Sequence, residues 1–130
     1  MKRLVLMGSI MAALAVIIGA FGAHALKPLL NETQLQTYET GVKYHLIHSL
    51  ALLVIATLYH QHKIKLFLSA GVLMFIGIIL FSFSLYLLSL REVLGIQSWS
   101  FLGPITPLGG LSMIVGWILV FAGAIKIKND

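Results

Sequence analysis

Four long apolar stretches, running from Leu4 to Ala23, Tyr44 to Tyr59, Leu66 to Leu90 and Ile105 to Ile125, limit the fold of this 130-residue chain more than any other feature. A helix needs about 20 residues to cross a hydrocarbon core about 30 Å thick. None of the stretches alternates with period two as a barrel strand does, and a spanning segment must satisfy its backbone hydrogen bonds within itself, so all four read as helices. The chain is 59% hydrophobic with a mean hydropathy of +1.00. So short a chain cannot bury that much apolar surface in a core of its own, because small domains have a high surface-to-volume ratio. The expectation is an all-α integral membrane fold: four transmembrane helices in a compact bundle, forming a single domain over residues 1–130.

The formal charge of +5 does not point to nucleic acid, because the basic residues stand in ones and twos at the ends of the stretches. Lys2, Arg3, Lys63, Lys65, Lys126 and Lys128 fall at the N-terminus, the second loop and the C-terminus, against Lys27, Lys43 and Arg91 in the first and third loops. An excess of Lys and Arg marks cytoplasmic loops, so both termini are expected in the cytoplasm and the first loop outside, in a multi-pass protein of the cell membrane. "MKR", an apolar run and "AHA" at Ala23 to Ala25 imitate a secretory signal. The apolar run is longer than the usual core of such a signal, so a retained span is expected. The absence of cysteine removes disulfides, thiolate metal sites and a cysteine nucleophile.

In the first loop Asn31, with Gln34 three residues on, matches a capping box, and Leu35, Tyr38 and Val42 follow at helical spacing. A short amphipathic interfacial helix before span 2 is expected. The third loop carries Trp99 and Phe101, which favour the headgroup region. Thr106 and Pro107 read as the cap and first residue of span 4.

Small residues recur at helical intervals: Gly8, Ala12, Ala15, Gly19 and Gly22 in span 1, Ala70, Gly77 and Ser84 in span 3, and Gly109, Ser112, Gly116 and Gly123 in span 4. Such stripes let membrane helices approach closely. They exceed what one contact requires, so a homo-oligomer in membrane lipid is also expected.

His45 and His48 lie three residues apart, on the side of span 2 that carries Gly41, and His24 ends span 1 across the loop. As a trio they form a possible metal or haem ligand set, with redox or hydrolytic chemistry as its consequence; otherwise they are neutral interfacial side chains. Glu39 is a distant fourth ligand. A helix start at Thr106 with Gly109 and Gly110 would offer backbone N–H groups to a lipid phosphate or a carboxylate, or would simply pack. Ser82 and Tyr86 share a face of span 3 and read as hydrogen-bonding glue between helices. His60 and His62 read as a solvated turn. No charged residue lies deep in a span, which argues against an ion-coupled pump. The chain has no Gly-rich phosphate loop, no paired carboxylates and no assignable Ser/His/Asp set.

Four motifs in order, "GAFGAHALK" at Gly19 to Lys27, "TGVKYHLIHSLALL" at Thr40 to Leu53, "FSFSLYLL" at Phe81 to Leu88 and "GPITPLGG" at Gly103 to Gly110, resemble the domain of unknown function 423 family. This group of small four-span membrane proteins includes transmembrane protein 256. The resemblance implies four helices, leaves activity and cofactor open, and points to His24, Tyr44, His48, Ser82, Ser84, Tyr86, Thr106, Pro107, Gly109 and Gly110. Phe83 stands where the pattern leads one to expect glycine.

The function expected is that of a non-enzymatic membrane protein whose outward-facing corner, with His24, Tyr44, His48, Thr106, Gly109 and Gly110 as ligand-binding residues, takes a lipid headgroup or small ligand. The alternatives are a metal or haem protein through His24, His45 and His48, and a small oligomeric channel.

Overall fold

The computed structural model describes residues 1–128, which form helices and short connections with no strand among the described residues. Helix α1 (Lys2–Phe21) runs directly into a π-helical turn at Gly22–Leu26. Helix α2 covers Glu32–His62. The third run is composite: α3 (Lys65–Gly77), a second π turn (Ile78–Ser82) and α4 (Phe83–Ser89). A single-turn helix α5 (Arg91–Leu94) precedes α6 (Leu102–Ile125). Four continuous runs, Lys2–Leu26, Glu32–His62, Lys65–Ser89 and Leu102–Ile125, are long and apolar enough to cross a membrane.

The capping box at Asn31 forms in both directions. Gln34 N donates to Asn31 Oδ1 at 2.9 Å, and Asn31 N donates to Gln34 Oε1 at 3.0 Å. The amphipathic segment that follows is not a separate helix, because no proline interrupts it and it continues into span 2 as one helix of 31 residues. At 1.5 Å per residue α2 is about 46 Å long, more than the hydrocarbon core requires. It ends at Lys63, whose backbone is left-handed (φ 56°) and whose N–H bonds Tyr59 O at 2.9 Å. With Ile64 extended, two residues suffice to reverse the chain into α3.

Helix α1 packs along α2, α2 along α3 and α4, and α6 along α3 and the second π turn. The outer helices α1 and α6 therefore present the most apolar surface outward, including Val16, Ile17 and Phe21 on one and Ile114, Ile118 and Phe121 on the other. The core lies between α2, α3 and α6, where Leu52, Ile55, Phe67, Met74 and Ile78 are fully buried.

Glycines set the seams. Between the third run and α6, Gly123 meets Phe67, Gly116 meets Met74, Gly77 meets Met113 and Gly109 meets Phe81, while Ser84 bonds Thr106. The residue numbers of every pair add to 190, the signature of one antiparallel register held from Phe67 to Ser84. Each missing side chain on one helix receives a large one, or backbone, from the other, which is how membrane helices gain packing when lipid competes for apolar groups. On the other side Gly8 takes Leu53, Gly19 takes Val42 and Gly22 takes Tyr38. Ala15 and Ala70 are buried and Ala12 is half-buried. The stripes are thus largely filled inside one chain and need no second copy to cover them.

Span 4 starts earlier than its Thr106–Pro107 motif suggests. Helix α6 begins at Leu102, so Pro104 occupies a position whose N–H would be free anyway, and Pro107 lies inside the helix. Thr106 is not a cap; its hydroxyl is 2.6 Å from Ser84 Oγ and 3.4 Å from Leu102 O.

Candidate functional site: a groove between α2 and α6

Tyr44 and His48 stand one turn apart on α2, facing Gly110, Met113, Ile114 and Trp117 of α6 across Phe81. Together these residues line a groove of about 310 Å³ roughly half-way along both helices. It is an aromatic site: the Tyr44 and Phe81 ring centroids lie 4.9 Å apart, Tyr44 stacks near His48 at 6.0 Å, and Trp117 meets His48 edge-on at 6.0 Å.

His48 is held at both nitrogens. The Trp117 indole, which can only donate, gives its Nε1–H to His48 Nε2 at 3.1 Å. The ring proton therefore resides on Nδ1 and is donated to Tyr44 O at 2.8 Å. A neutral imidazole locked in one tautomer forms a rigid polar wall. Binding of a ligand atom at Nε2 would first have to displace Trp117.

His45 faces another neighbour. It is fully buried against α4, with Nδ1 2.9 Å from Tyr86 Oη and its ring near Phe83. Tyr86 in turn lies over Gly41 and 5.2 Å from the Tyr38 ring, and Tyr38 donates its hydroxyl to Ile18 O at 2.6 Å.

His24 stands on the first π turn, where Lys27 N bonds Gly22 O at 3.1 Å, and its side chain is exposed. It joins neither of the other two histidines: no group of three or more His, Cys, Asp or Glu able to hold a metal ion exists among the described residues. The ligand set His24, His45 and His48 is thus not assembled. The spacing of His45 and His48 is right, but one is tied to Tyr86 and the other to Trp117.

The anion-binding helix start is not formed either. Gly109 and Gly110 lie inside α6 rather than in its first turn, and Gly109 is pressed against the backbone of Leu80 and Phe81. Gly110 alone of the pair borders the groove, with Phe81 in ordinary contact. Of the six residues proposed from sequence as ligand-binding, Tyr44, His48 and Gly110 share one site, while His24, Thr106 and Gly109 lie elsewhere.

Phe81, Met113, Ile114 and Trp117 complete the groove and were not marked by sequence reasoning as site residues. Trp117 carried a usable signal: a tryptophan well inside an apolar run has an N–H that needs an acceptor.

Comparison with known proteins agrees with this architecture. The family model described as "Protein of unknown function (DUF423)" matches residues 18–110. The chain belongs to this family. The DUF423 match takes in α2, both π turns, α3 to α5 and the glycine pair of α6, and so most of the groove. Among relatives, the chain is 46% identical to the UPF0382 membrane protein YwdK of Bacillus subtilis over 97% of its own length and 98% of the relative's. It is 39% identical to the UPF0382 membrane protein SAB0533 of Staphylococcus aureus, over 99% and 100%, and 34% identical to the UPF0382 inner membrane protein YgdD of Escherichia coli, over 98% and 93%. No solved structure matches. Four apolar helical runs, in a chain whose relatives are named membrane proteins, make this an integral membrane protein.

Proposed function

We propose that this protein is a non-enzymatic membrane protein whose α2–α6 groove holds the apolar part of a membrane lipid or a similarly small amphiphile. The observation that carries the reading is the groove itself: about 310 Å³, lined by four rings and opened by Gly110. Its polar groups support binding rather than chemistry. Both nitrogens of His48 are engaged within the protein, so Nε2 would have to lose Trp117 before it could accept a proton or a metal. The mid-helix position favours an apolar segment over a headgroup. Both termini are placed in the cytoplasm, on the strength of the Lys and Arg count.

Native mass spectrometry of the protein released gently from its own membrane tests this, with Gly110→Leu alongside. A Cβ at Gly110 meets Phe81 only at ordinary contact distance, so the larger side chain starts without a backbone clash and projects toward the groove that Gly110 borders. A lipid-sized adduct on the wild type that Gly110→Leu loses is the expected result. Equal adducts on both, or none on either, would overturn the reading.

A further inference from the structure

Among the described residues, two buried side-chain atoms lack a hydrogen-bond partner within the protein: Nε2 of His45 and Oγ of Ser82. Both residues are fully buried. They also belong to one interface. Gly41, one turn before His45 on α2, lies against Tyr86 and the carbonyl of Ser82, and Tyr86, one turn after Ser82, reaches His45 Nδ1 at 2.9 Å. Because the two helical runs are antiparallel, His45 and Ser82 lie at neighbouring levels of that interface, below the Tyr86 ring.

Ser82 is exceptional among its kind. The other buried serines all bond back to their own helix: Ser49 to His45 O at 2.7 Å, Ser84 to Phe81 O at 2.9 Å and Ser89 to Tyr86 O at 2.8 Å. Back-bonding is what a serine hydroxyl in an apolar helix ordinarily does. Ser82 closes the second π turn, where the widened backbone departs from the regular ladder of carbonyls, and such turns are frequent at functional sites. Buried polar atoms are rarely left without a partner, and a bound water is one of the few things that satisfies an exception.

We propose that the α2–α4 seam contains a built site for one water molecule, bridging His45 Nε2 and Ser82 Oγ. Water fits because the direction of the His45–Tyr86 bond leaves Nε2 as either a bare acceptor or a donor, and water can serve both. A serine hydroxyl is equally adaptable. Two protein partners are within the range that holds buried waters in place. The site is separate from the α2–α6 groove, which neither His45 nor Ser82 lines.

The test is solid-state NMR of the full chain in phospholipid bilayers with ¹⁵N-labelled histidine, reading polarisation transfer from water to each ring nitrogen. His45→Phe assigns the signals, and Ser82→Ala, which removes only a hydroxyl, keeps the test sound if the first variant does not fold. Transfer to His45 Nε2 at least half as strong as that to exposed His24, falling at least twofold in Ser82→Ala, is expected. No transfer to His45 at mixing times that saturate His24 would overturn the proposal. So would an Nε2 shift that responds to Ser82→Ala without any water contact, since that would mean a direct histidine–serine bond.

Discussion

Trp117 and His48, 69 residues apart in sequence, are joined by a 3.1 Å hydrogen bond from the indole N–H to Nε2. It links two helices that pack mainly on other partners, α2 on α1 and α3 and α6 on α3, rather than on each other. Trp117→Phe keeps a ring in place but leaves Nε2 without its donor. A loss of about 0.5–2 kcal/mol is expected, at the lower end if lipid-exposed states find other partners. Reversible unfolding in mixed micelles measures it, and the His48 Nε2 ¹⁵N shift should move in the same variant.

Gly109 and Gly103 are both glycines of α6, yet they should respond oppositely to alanine. A Cβ at Gly109 would collide with the Phe81 backbone, which cannot swing aside as a side chain can. Gly109→Ala should cost about 3 kcal/mol or more, the upper range for overpacking. Gly103 has nothing within 4 Å, and Gly103→Ala should be neutral or stabilise by up to about 1 kcal/mol through helix propensity. Thermal unfolding of the two variants side by side decides the matter.

Ser84 and Thr106 close one end of the same register with a 2.6 Å contact between hydroxyls. Each also has a carbonyl of its own helix within reach, at 2.9 Å for Ser84 and 3.4 Å for Thr106, so losing the partner leaves neither stranded. A double-mutant cycle of Ser84→Ala and Thr106→Val should return a coupling of only about 0.5–1 kcal/mol. A value near zero would mean the two hydroxyls act independently.

The chain has no cysteine, so single cysteines report topology without background. With the termini inside, Ser98→Cys in the third loop should be labelled in intact cells by a membrane-impermeant maleimide, and Gln61→Cys in the second loop only after lysis. The reverse pattern would invert the orientation.

The sequence by itself determined the helical class, the four runs and the start of α2, because these rest on local physics. Apolar length, the need for internal backbone bonding and a cap that reaches three residues are all written in one stretch of chain. It also showed which residues are small, as in the glycine series at 109, 116 and 123. What it could not show is where each helix begins relative to its motif and which helix fills each gap. Thr106 and Pro107 looked like a cap, but α6 starts at Leu102 because Pro104 is tolerated in the first turn. His45 and His48 looked like a pair, but three residues along a helix still leave the side chains about 60° apart, enough to present one to α4 and the other to α6. Only the tertiary structure decided those partners, since a histidine's role depends on the atoms that face it. Those atoms come from segments that lie 41 and 69 residues away.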